Sequence, residues 1–193
     1  MPRPDLKALR REQILDAFER CIARDGVEGA GLDRVAEEAG LARALIRHNI
    51  GNRDAVLAAA VHRFIERSRV EWAETLAGMP RRNGLKTLVG WLFDPAHADP
   101  HMVRVSEALI AACTGNRELT AQIRQWLTGF TDALQSAIAD HHPDAAEPRV
   151  KAVAAGLTGI YFNLDSVTVL GEMPDLRDAS REAALLLVAA LDG

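Results

Sequence analysis

The stretch LDRVAEEAGLARALIRHNI, residues 32–50, decides how the rest of the chain is read. Leu32, Val35, Ala36 and Ala39 recur at the spacing of one helical face. Gly40 then interrupts the pattern, and glycine is the residue that takes a left-handed turn without a Cβ clash. A second short helical segment follows from Ala42 to the Ile50-Gly51 pair. Leu41, Leu45 and Ile46 supply its apolar contacts, and the spacing leaves open which of the last two points inward. Ala36 is small where two helices must approach. Two helices of about two turns each, joined by a tight turn, make a helix-turn-helix, whose second helix lies in the major groove of DNA while the first crosses the backbone. Ala42, Arg43, Arg47 and His48 are then the side chains left outward.

Working outward, the periodicity stays helical. A first helix over residues 6–24 places Ile14, Phe18, Cys21 and Ile22 on one face, and Asp25-Gly26 ends it. Asn52 reads as an N-cap, with Asp54 in the first turn favouring the helix dipole. The helix it opens, residues 53–76, carries Val56, Leu57, Ala60, Val61, Phe64, Ile65 and Trp72. Further helices are expected over 85–93, 101–113, 117–139, 148–170 and 176–191, with turn-rich separators between them. Alternating β-type runs are nearly absent. The expected fold class is all-α with about nine helices, a three-helix head followed by a larger helical bundle.

Composition bounds the function classes. Hydrophobic residues make up 48% and charged residues 26%, enough for a packed core in a folded chain. No run approaches the ~20 uncharged apolar residues of a membrane span. The opening MPRPDLKALRREQ lacks an apolar signal core, so a cytoplasmic location and no membrane partner are expected. Cys21 and Cys113 lie far apart in helical patterns and read as small hydrophobes. The net charge of −4 does not by itself indicate nucleic acid. Its distribution says more: residues 1–53 carry ten Lys/Arg against nine Asp/Glu, or +1, and residues 54–193 carry thirteen against eighteen, or −5. Residues 40–53 contain Arg43, Arg47, Arg53 and His48 and no acid, a short positive edge suited to phosphate.

The first 57 residues or so resemble the N-terminal domain of the TetR/AcrR family of bacterial transcriptional regulators. The resemblance rests on RREQILDAFERCIARDGVEGAGL at residues 11–32, VAEEAGL at 35–41 and GNRD at 51–54. It implies a helix-turn-helix DNA-binding domain over 1–53 and a ligand-binding and dimerisation domain over 54–193. Carried over by position, Ala42, Arg43, Ala44 and Arg47 fall where relatives face base edges, and an arginine there suits guanine. His48 and Asn49 fall where relatives touch phosphates. Arg53 matches a cationic residue at the start of the fourth helix, where free N–H groups also favour a phosphate. The chain departs from the family in having Gly31 and Ala42 where Thr or Ser is usual. It also has Arg47-His48-Asn49-Ile50 in place of a Tyr-x-Tyr-Phe run.

For the remaining residues the resemblance is one of helical layout. It implies a palindromic double-stranded operator, a homodimer built by the last two helices, and a small-molecule effector. Leu185, Leu186, Leu187, Val188 and Leu191 make the final helix apolar over too wide an arc for packing on its own chain alone, and Leu185, Leu186, Val188 and Leu191 are the candidate dimer contacts. Candidate effector-lining residues are Phe64, Trp91, Met102, Leu109, Cys113, Trp126, Phe130, Tyr161, Asn163 and Asp165, although aromatics at helical spacing are more often plain core. The groups Asp94/His97/Asp99/His101 and Asp140/His141/His142/Asp144 have no recognised metal-ligand spacing, and no metal or other cofactor is assigned. Enzyme signatures such as G-x-S-x-G, the P-loop and H-E-x-x-H are missing, and Gly29-Ala30-Gly31 has no strand ahead of it, so no enzyme is expected. The rival expectations are a TetR-like dimer that has lost specific DNA binding and, further off, a helical-bundle enzyme.

Overall fold

The computed structural model describes residues 6–192. Among them are nine α-helices and no strand: α1 (Leu6–Gly29), α2 (Leu32–Ala39), α3 (Arg43–Asn49), α4 (Arg53–Ala77), α5 (Gly84–Leu92), α6 (Pro100–Ala111), α7 (Arg117–His141), α8 (Glu147–Ser166) and α9 (Pro174–Ala189). The all-α expectation holds, and each expected helix is present with ends shifted by a few residues. By contacts the chain divides into two compact units, Met1–Arg67 with His101–Arg124, and Ser68–Pro100 with Gln125–Gly193.

In the first unit, α1 turns one continuous face inward: Ile14, Ala17, Phe18 and Cys21 are fully buried, and Leu15 and Ile22 nearly so. Gly26 does break this helix, at φ 72° and ψ 170°, but a further turn continues to Gly29, so the element is kinked rather than ended there. In α2, Leu32, Val35, Ala36 and Ala39 are buried, the face expected of it. The helix closes at Gly40 in the left-handed conformation, φ 64° and ψ 33°. Gly40 N–H donates to the Glu37 carbonyl at 3.1 Å and Leu41 N–H to the Ala36 carbonyl at 2.9 Å. This crossed pair satisfies carbonyls that a helix end otherwise leaves open. Gln13 of α1 donates to the Ala39 carbonyl at 2.8 Å, so α1 also caps the end of α2. The alternative between Leu45 and Ile46 is resolved by packing: Ile46 is fully buried and Leu45 is 41% exposed.

Capping differs along the head. Asn52 Oδ1 accepts from Ala55 N–H at 2.9 Å, the cap read from the sequence. Gly31 and Ala42 precede α2 and α3 in extended conformation without any side-chain cap. An ionic clasp ties α4 to α1. Arg63 lies 2.9 Å from Glu12, 2.7 Å from Asp16 and 2.9 Å from Glu19, whose side chain is only 3% exposed. Burial works against the Arg63 charge, but Glu12, Glu19 and Asp16 together hold its pKa above the ordinary arginine value. Arg67 reaches the other Glu19 oxygen at 3.5 Å.

In the second unit one core gathers Trp72, Leu85, Leu88, Val89, Phe93, Phe130, Leu134, Ile138, Val150, Val153, Leu157, Leu164, Ala184, Val188 and Leu191. Gly156 lets α8 and α9 approach closely, since a Cβ there would lie 2.7 Å from Leu187 Cδ1. By length and composition Glu147–Leu170 is apolar enough to cross a membrane, although Glu147, Arg149, Lys151 and Asp165 leave no run of ~20 uncharged residues in it. Val150, Val153, Ala154, Leu157 and Leu164 pack into the core, while Val169 and Leu170 stand exposed.

Two outcomes follow for folding stability. Ile46→Ala is expected to cost about 2–5 kcal/mol, whereas Leu45→Ala stays within about 0.5 kcal/mol, measured by denaturant unfolding. Ala42→Ser adds a hydroxyl at an N-cap already in extended conformation, φ −67° and ψ 139°. A gain of about 0.5–1 kcal/mol is expected, read as a higher thermal midpoint; an unchanged midpoint would mean the missing cap is not a weakness.

Candidate nucleic-acid interface

With Ile46 as its inward anchor, α3 turns Arg43, Ala44, Leu45, Arg47 and His48 to solvent, together with Ala42 just before it. All four expected base-reading positions therefore lie on the exposed side. They are not equivalent electrostatically. Arg43 Nη1 sits 2.9 Å from each carboxylate oxygen of Asp33 on α2. Arg47 and His48 make no hydrogen bond or ion pair among the described residues, so their donors face solvent. Asn49 is half-buried and its side-chain amide donates to the Leu45 carbonyl at 2.7 Å, closing the last turn of α3.

Arg53 is also engaged. Its guanidinium donates to the Val27 carbonyl, just beyond the kink of α1, and lies 3.7 Å from Glu28. It ties the start of α4 to the end of α1, so a phosphate would have to share it. The run of residues 40–53 contains no acid, yet folding brings Asp33 to Arg43 and Glu28 to Arg53. Both partners were missed in the sequence reading, because neither sits at helical spacing from its arginine. Nearby, Glu38 accepts from Arg20 at 2.7 Å and Arg24 at 3.1 Å, and these bonds hold its carboxyl below the usual carboxylate range. Exposed pairs of this kind contribute about 0–1 kcal/mol each, so a phosphate can displace them at small cost.

The candidate effector-lining residues divide between the two units. In the first, Phe64 and Leu109 are fully buried core. Met102 is half-buried, with Arg67 Nη2 against its sulfur. In the second, an aromatic cluster gathers Trp126, Phe130 and Tyr161. Phe130 stacks on Trp72 at 4.2 Å between ring centroids, and Phe162 meets Phe130 edge-on at 5.3 Å. Trp126 donates to Ser68 at 2.8 Å. Trp72 and Phe162 were not nominated, although the scarcity of aromatics in this chain was the signal available. Trp91 is half-buried against the same core. Tyr161 finds its partner in Asp165: burial pushes the phenol pKa up, and the Asp165 carboxylate and Asp99 add to the rise, so the hydroxyl stays a neutral donor. Asn163 points away, exposed. A cavity of about 470 Å³ is lined by Cys113, Gly115, Asn116, Arg117, Thr120, Ala121 and Arg124, and Cys113 is the one candidate among them.

Histidines of the two groups lie near separate carboxylates. His97 lies 3.5 Å from Asp94, His101 4.0 Å from Glu19 and His142 3.2 Å from Asp192. No group of three or more metal-ligating side chains forms among the described residues. Cys21 is buried and Cys113 half-buried, both free. Val188 on α9 and Leu191 just beyond its end lie in the core of their own chain, Leu185 is half-buried, and Leu186 stands 64% exposed.

The fold recurs in solved structures. A TetR transcription regulator from Haloarcula marismortui superposes with a TM-score of 0.77 at 17% identity, over 95% of this chain and 98% of that one. FadR of Bacillus subtilis, solved with stearoyl-CoA, gives 0.70 at 19%, over 92% and 97%. No protein-family model matches the chain. Among curated proteins, the HTH-type transcriptional regulator BetI of Stenotrophomonas maltophilia is 28% identical over 62% of this chain, which spans 62% of that protein's length. BetI of Burkholderia ambifaria is 30% identical, and there the chain spans 50% of its length. BetI of Burkholderia thailandensis is 32% identical across 100% of this chain and 83% of its own length. With a helix-turn-helix whose second helix is open to solvent, an all-α fold of nine helices among the described residues and 32% identity to the Burkholderia thailandensis regulator across the whole chain, the chain belongs to the TetR family of helix-turn-helix transcriptional regulators.

Proposed function

We propose that this chain is a ligand-responsive, DNA-binding transcriptional repressor that binds a palindromic operator as a homodimer and is released by a small-molecule effector. The observation that carries the reading is the outward edge of α3, where Arg47 and His48 are exposed and unengaged among the described residues. Arg47 reads a guanine from the major groove, and His48, Asn49 and Arg53 face the phosphates. Residues 1–53 bind DNA, while residues 54–193 hold the effector and join two copies in the cytoplasm.

A single short recognition helix covers too few base pairs, so two copies reach half-sites about 34–36 Å apart. The apolar but poorly buried α8, with exposed Leu186 on α9, is the surface for the second copy. Val188 and Leu191 support that surface from beneath. The FadR structure with stearoyl-CoA supports an effector in the helical module, by likeness of fold. The aromatic cluster around Phe130 and Tyr161 is the apolar, ring-lined wall such a ligand would meet. The effector acts by shifting a two-state equilibrium, with couplings typically of about 1–3 kcal/mol.

Selection of bound duplexes from a random pool tests the reading. A palindromic consensus is expected. Arg47→Ala should weaken binding to it by about 5- to 150-fold, the equivalent of one bidentate base contact, and flatten one position of the consensus. Unselective binding, or an Arg47→Ala profile identical to the parent, would instead favour a dimer that has lost its operator. That second reading draws on the engagement of Arg43 and Arg53 within the chain.

A further inference from the structure

We infer that Asp33 is a positioning residue for base recognition, acting through Arg43. The inference deepens the proposed reading of α3 and rests on it. Asp33 occupies the first turn of α2, the helix that crosses the DNA backbone in a helix-turn-helix. Its carboxylate receives Arg43 Nη1 on both oxygens at 2.9 Å. That contact uses one corner of the guanidinium. Nε and Nη2 have no partner among the described residues and form a free two-donor edge. A guanine presents O6 and N7 side by side in the major groove, and a two-donor edge matches them.

An arginine side chain free in solvent loses rotamer entropy when it is fixed on a base, and a preset one loses less. The pair is open to solvent, with side chains 49% and 77% exposed, so it stabilises the fold little. Asp33 has a second effect: its negative charge near the phosphates lowers affinity for every sequence alike. The two effects together favour selectivity over affinity, because the repulsion is uniform and the presetting acts at one base pair. Glu37, exposed on the same helix and unpaired among the described residues, supplies the control for charge alone.

The experiment compares full-length wild type, Asp33→Asn, Glu37→Gln, Arg43→Ala and the Asp33→Asn/Arg43→Ala double variant. Each is run through selection from a random duplex pool, then titrated on the selected duplex and on a scrambled one. Both Asp33→Asn and Glu37→Gln should bind scrambled DNA more tightly, each having lost one negative charge. Asp33→Asn alone should lose severalfold discrimination at the base pair whose preference Arg43→Ala abolishes, and the double variant should lose no more than Arg43→Ala. Superimposable Asp33→Asn and Glu37→Gln profiles would overturn the inference, leaving Asp33 as bulk charge. Sharper preference in Asp33→Asn would also overturn it, because Asp33 would then compete with the base. The side-chain NMR signal of Arg43 in DNA-free protein separates the two levels of failure. A restrained guanidinium in a wild type without sequence preference would remove the base-reading function itself, and the positioning role with it. A selective wild type with a freely rotating Arg43 would remove the positioning role only.

Discussion

The left-handed turn at Gly40 is the constraint on which the DNA-facing geometry depends. With φ at 64°, it reverses the chain in a conformation that most residues avoid. The backbone bonds from Gly40 and Leu41 back into α2, and the Gln13 amide on the Ala39 carbonyl, leave α3 a single direction of exit. Ile46 then drops into the core between α1 and α2, and its burial fixes the rotation of α3 about its own axis. With Ile46 facing in, Arg47 lies about 100° round the helix and faces out, while Arg43, one turn before Ile46 on a neighbouring stripe, is exposed at the first position of the helix. The outward placement of Arg47 thus follows from one turn and one buried side chain, and Arg43 is held by Asp33 instead.

Two kinds of ionic contact serve different ends in the same unit. Glu19 is almost wholly buried, and removing its partner Arg63 would leave that charge with the longer contacts from Arg67 and His101; breaking a buried pair typically costs about 3–5 kcal/mol. The clasp therefore behaves as fixed structure that holds α4 on α1. The pairs at Arg20, Arg24 and Arg43 are solvent-exposed and exchangeable. DNA can take over such contacts without disturbing the core. The head carries nearly balanced charge, but the balance is uneven in space, and Arg47 remains on the open side.

What the sequence made legible follows from local physics. Glycine at residue 40, asparagine at 52 and the apolar spacing of α1, α2 and α4 each act within a few residues, and those features stand where they were expected. The choice between Leu45 and Ile46 was not legible, since it depends on the angle at which α3 meets α1. Asp33 on Arg43 and the Val27 carbonyl on Arg53 were invisible for the same reason: they are made across the fold, between residues 10 and 26 apart. The kink at Gly26 was read as an end because a left-handed glycine marks both. In the helical bundle the aromatic residues were found but not their grouping, and Tyr161 proved to be satisfied by Asp165 one turn along its own helix.

The central claim is that DNA is read by the outer face of α3. Amide chemical-shift mapping of the full-length protein, titrated with its selected duplex, tests this most directly. Shifts concentrated over residues 42–53 and at the start of α2, saturating at one duplex per two chains, are the expected result. Shifts confined to the helical bundle, or shifts that never saturate and vanish with modest salt, would contradict it.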